Sequence, residues 1–97
     1  MDIKIVSSFT RPDTETIFFD SIDLMNHILN EYVYPKKLWP VTELSDDRLT
    51  LTTTITFFDQ TYLKEFLNDT IIKEFNILKS SYNKQHNIFS KSIIVNE

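Results

Sequence analysis

Ile3, Ile5 and Phe9 share one parity of the opening segment, and Lys4, Ser8 and Thr10 share the other, with Val6 the exception. This period of two predicts a half-buried strand, which Pro12-Asp13-Thr14 ends in turn chemistry. Phe18, Ile22, Met25, Leu29 and Tyr32 then recur at spacings of four and three, with Leu24, Ile28 and Val33 beside them. That is the apolar stripe of an amphipathic helix, acidic at its start (Asp20, Asp23) and stopped by Pro35. Residues 38–44 read as a second strand. Pro40 cannot donate to a ladder and so predicts an edge position. Ser45-Asp46-Asp47-Arg48 reads as a hairpin turn.

In the third strand Leu49, Leu51, Ile55 and Phe57 alternate with Thr50, Thr52, Thr54 and Thr56, which gives one apolar and one hydroxyl face. Asp59 is placed to cap a helix over 60–67, and Asn68-Asp69 to interrupt and recap it. A second run then carries Ile71, Ile72, Phe75, Leu78 and Tyr82 as its apolar stripe. An Asn between 83 and 87 is expected to end this helix in the left-handed region. Ile88 to Val95 reads as a last strand.

The order β-α-β-β-α-β with right-handed crossovers predicts an α+β fold. It is a ferredoxin-like, four-stranded antiparallel sheet with two helices on one face, in a single domain over 1–97. On the third strand the aliphatic parity is expected to face the helices, leaving the threonines on the other side. Val6 and alternate residues of the last strand add apolar area there. A solvated threonine face is the plainer reading. A two-fold dimer that closes two such faces is the economical one, with Thr50, Thr52, Thr54 and Thr56 at the interface.

Composition narrows the function classes. The chain has no Gly and no Cys, and no Ala occurs in it. A phosphate-cradling glycine loop, a thiolate metal site and a cysteine nucleophile are therefore excluded. Positive-φ turns must fall to Asn or Asp. The formal charge of −4 argues against a nucleic-acid partner. No apolar run reaches the ~20 residues of a membrane span, and Met1-Asp2-Ile3-Lys4 does not open like a secretory leader. A cytoplasmic protein is expected. Abundant Lys, Ile, Asn and Phe point to an AT-rich genome, and a small viral or bacteriophage reading frame fits that, with the host cytoplasm as its location.

The stretch Leu49 to Asp69, with its alternating strand, its Phe58-Asp59 step and Phe66 near the end of the following helix, resembles the dimeric α+β barrel family. That family includes antibiotic-biosynthesis-type monooxygenases, and the βαββαβ order extends the likeness over most of the chain. The resemblance implies a homodimer with a shared barrel. It does not imply haem degradation. Where the haem-degrading members carry Asn, Trp and an axial His, this chain has Ser7 or Ser8, Phe57 or Phe58, and Phe75 or Asn76. The cofactor-free members use polar and aromatic pockets between helices and sheet, so no cofactor is expected.

Candidate chemistry is sparse. His27, between core Met25 and Ile28, reads as a pocket acid/base or as a partly exposed surface imidazole. His86 reads as a cap, and two lone histidines do not make a metal site. Trp39, the only Trp, reads as lining a pocket mouth or as an ordinary rim residue. Arg11 reads as a receptor for an anionic group or as a solvated side chain. His27, Trp39 and Arg11 are thus the ligand-binding candidates, and no catalytic residue can be assigned. Three functions stay open: a homodimer binding a small apolar or aromatic molecule between sheet and helices, a cofactor-independent monooxygenase-like enzyme using His27 or Arg11, and an interaction module without a pocket. The expected partners are a second copy of the chain and a small molecule, with neither nucleic acid nor membrane.

Overall fold

A computed structural model describes residues 2–96; Met1, which opens the N-terminal stretch, and Glu97 lie outside the described residues. The elements run β1 (Ile3–Thr10), α1 (Ile22–Ile28), a wider π turn (Leu29–Val33), β2 (Leu38–Leu44), β3 (Thr50–Phe57), α2 (Gln60–Asn68), α3 (Thr70–Gln85) and β4 (Phe89–Asn96). The fold is α+β, with four antiparallel strands in the order β2-β3-β1-β4 and three helices. Pro40 lies on the outer strand β2, where a missing N–H does no harm.

Side-chain caps set the helix limits. Asp59 accepts from the N–H of Thr61 at 2.7 Å and starts α2. Asp69 accepts from the N–H groups of Ile71 and Ile72 and starts α3. The first helix begins later than its apolar stripe suggests. Ser21 caps it through the N–H of Leu24, so Phe18 and Asp20 lie in the preceding loop. Phe18 leaves the helix because it stacks under the Arg11 guanidinium, 4.6 Å from the ring centre. At the other end the helix widens, with the N–H of Tyr34 reaching back five residues to the carbonyl of Leu29.

Among the described residues, three take positive φ: Lys36, Arg48 and Asn87. Asn87 follows the expectation for a chain without Gly. Lys36 and Arg48 depart from it, and a Cβ in that region costs each about 1 kcal/mol.

The core lies at one end of the sheet. Leu38 and Phe57 are 0% exposed, and they pack with Tyr32, Leu63, Phe66 and Ile72, while Ile3, Ile5 and Ile55 border the cluster. Phe66 meets both Tyr32 and Phe57 edge to face, at 5.2 and 5.3 Å. All these sheet residues share the parity of Ile3 and Ile5. Thr50, Thr52, Thr54 and Thr56 therefore point to the opposite face, together with Val6, Val41, Trp39 and Ile93.

The inward face of α3 differs from the expected stripe. Ile72 is buried, but Ile71 and Leu78 are exposed, and Lys79 and the buried Asn83 take the inward positions instead. There Lys79 lies over the Phe9 ring, and Asn83 borders the same hollow.

Candidate functional site

Between the sheet and the helices, beyond the core, lies a partly open cleft of about 510 Å³. Its floor follows from strand register. Ser7 pairs with Thr53 on one side and Ser92 on the other, and Thr53 pairs with Thr42. One row across all four strands thus carries only hydroxyls. The Ser7 and Ser92 hydroxyls are hydrogen-bonded at 2.8 Å. Large apolar side chains would fill this row in an ordinary core. Short polar ones leave space, and the helices span it.

The apolar wall comes from Leu24 and Ile28 of α1, Ile55 of β3, Phe66 of α2 and Ile72 of α3. The polar wall comes from Asn76, Lys79, Ser80 and Asn83 of α3. A volume of this size suits a small organic ligand, and mostly apolar lining with a few polar groups is the usual make-up of such sites. A smaller hollow of about 100 Å³ adjoins it, lined by Phe9, Phe18, Phe19 and Leu51.

The candidates named from the sequence are not gathered here. Arg11 donates from Nε and Nη2 to the carbonyl of Arg48, at 2.8 and 2.6 Å, and from Nη1 to that of Thr16, which fastens the 11–21 loop to the β2–β3 turn. Trp39 is 57% exposed, on the threonine side of β2. The four threonines of that side are half-buried.

His27 is partly exposed, and its ring is tied to a carboxylate. Its Nε2–H donates to Asp69 Oδ2 at 2.7 Å, and the Tyr32 hydroxyl donates to the same oxygen at 2.7 Å. Burial works to raise the Asp69 carboxyl. The bonds from Tyr32, His27 and the two backbone N–H groups outweigh it and bring the pKa down to about 2. Burial, with the adjacent Asp69 carboxylate, pushes the Tyr32 phenol well above its ordinary value. The trio closes on itself and takes no part in lining the cleft.

The cleft's own residues escape sequence reading because each looks ordinary alone. Ser7, Thr53 and Ser92 become a row only through pairing. Asn76, Lys79 and Asn83 recur at spacings of three and four, but α3 is mostly polar, so this recurrence does not stand out from its other polar positions. Among the described residues no cluster of acidic, His or Cys side chains could hold a metal ion, and no helix is long and apolar enough to cross a membrane. The chain matches no protein-family model, no curated protein and no solved structure.

Proposed function

We propose that this chain is a ligand-binding protein of the ferredoxin-like, dimeric α+β barrel type, which takes a small apolar or aromatic molecule into the cleft between sheet and helices. The observation that carries this reading is the 510 Å³ cleft itself, large for a chain of 97 residues. The strand order β2-β3-β1-β4 supports the ferredoxin-like assignment. The enzyme alternative is less favoured, because His27 and Arg11 are both committed to protein partners outside the cleft. A methyl-resolved NMR titration with decanol tests the binding reading. Saturable shifts at Leu24, Ile28, Ile55 and Ile72 are expected, and unmoved cleft methyls at saturating decanol would overturn it.

The homodimer belongs to the same proposal. A two-fold axis parallel to the strands, between two facing sheets, sets β2 of one copy over β4 of the other. Row by row, Val41 then meets Ile93, Thr54 meets Val6, and Glu43 meets Lys91. Apolar edges face apolar edges, and opposite charges face each other.

Exposed Ile71, Ile77 and Leu78 on α3 favour a second reading, in which the helices also contact a protein partner. Ile77→Asp and Leu78→Asp would abolish such a contact and leave decanol uptake unchanged.

A further inference from the structure

Lys79 lies where the interior spaces meet. It lines the 510 Å³ cleft, the 100 Å³ hollow beside it, and a third of about 280 Å³ bordered by α1 and β2. Its ammonium sits over the Phe9 ring, 5.2 Å from the centre. Among the described residues it makes no ion pair and no hydrogen bond. Among the described residues Asp20 is the one acidic side chain lining any of these spaces, in the third hollow, and it does not pair with Lys79. Burial pushes the amine below the usual lysine range.

One helical turn on stands Asn83, 4% exposed. Its side-chain amide makes no hydrogen bond among the described residues, and its atoms open onto the cleft instead of being sealed off. Neither the Lys79 ammonium nor the Asn83 amide is sealed from the cleft, so both remain open to a ligand there, with the Phe9 ring the one protein group drawn to the ammonium among the described residues. Residues four apart on a helix share one face, and both residues line the cleft and the hollow beside it. Across from them runs the hydroxyl row of Ser7, Thr53 and Ser92.

We infer that the cleft ligand is an amphipathic monocarboxylate, its carboxylate held by the Lys79 ammonium and the Asn83 amide and its apolar body lying against Leu24, Ile28 and Phe66. The inference rests on the binding reading above and adds the acidic head group. A neutral apolar molecule would fill the same wall and leave Lys79 and Asn83 unsatisfied. A carboxylate accepts from both, and Lys79 gains a counter-charge in a site where solvent screens it poorly. A cationic ligand would meet the ammonium with like charge and is excluded by the same argument.

The probes are decanoate and decanol, titrated calorimetrically into the full chain near neutral pH. Decanoate should bind about tenfold or more tightly than decanol, the factor expected of hydrogen bonds to a charged group. Lys79→Met keeps an unbranched side chain out to Cε and removes the ammonium. It should erase that preference by weakening decanoate alone. Equal binding of the two probes to the native chain, or a preference that survives Lys79→Met, overturns the head-group inference and leaves the binding reading standing. Uptake of neither probe by the folded chain overturns both. Should Lys79→Met not fold, the native chain still decides: saturating decanoate should raise the Lys79 pKa measured from its 13Cε shift, and an unmoved value overturns the inference.

Discussion

His27 on α1 and Asp69 at the junction of α2 and α3 are joined through Nε2–H and Oδ2 at 2.7 Å, across 42 positions of sequence. The other oxygen of the same carboxylate caps α3, and the Tyr32 hydroxyl shares Oδ2. One side chain thus fixes a helix start and ties the first helical segment to the second. Asp69→Ala removes the cap and leaves the 1%-exposed Tyr32 with an unpaired hydroxyl. A loss of about 3 kcal/mol in stability is expected. Tyr32→Phe, which keeps the ring packing, should cost about 1 kcal/mol. Urea unfolding of both variants checks the order; equal losses would mean that the carboxylate does no more than the phenol.

The same carboxylate sets an acid limit. Its pKa falls from 3.8 to about 2 on folding, so the unfolded chain takes up its proton first as pH drops. The stabilisation is complete above about pH 4, amounts to about 2 kcal/mol, and is lost as pH falls through about 2. Asp69→Asn should therefore unfold with a shallower dependence on pH between about 4 and 2. A native chain and variant with parallel acid profiles would contradict this.

Lys36 and Arg48 take φ values of 62° and 64°, which Gly adopts without a steric penalty. Lys36 is exposed, so Lys36→Gly should stabilise the chain by up to about 0.5 kcal/mol, the relief of the left-handed strain less the added freedom of the unfolded state. A lower thermal midpoint for this variant would show that the strain is absent.

Glu43 and Lys91 test the proposed pairing of sheets. Each lies at one end of the row Glu43–Thr52–Ser8–Lys91. Glu43→Lys and Lys91→Glu should each weaken self-association about tenfold, and the double exchange should restore it. Thr54→Arg, in the middle of the face, should weaken it more. Light scattering reads all four, and a native chain that stays monomeric at high micromolar concentration contradicts the dimer.

The strands and caps were legible because their causes are local. The alternation of Leu51, Ile55 and Phe57 with the threonines, the capping aspartates 59 and 69, and Asn87 after the last helix all act within a few residues. Phe18 shows the limit. It continues the period of α1, yet Arg11, seven positions away, holds it in a loop. The cleft was illegible for the same reason on a larger scale. Ser7, Thr53 and Ser92 are unremarkable serines and a threonine until register aligns them. Leu78 fits an apolar stripe, yet it is exposed and it is Lys79 that the fold lays over Phe9.

The proposed function stands or falls on whether the space between sheet and helices receives a ligand. Crystals grown with 10-bromodecan-1-ol test it most directly, because anomalous scattering from bromine locates the molecule without interpretation of weak density. A peak within the cleft, against Ile28 and Ile55, is expected. A bromine site only on the outer sheet face at Val41, or none at saturating ligand, would contradict it.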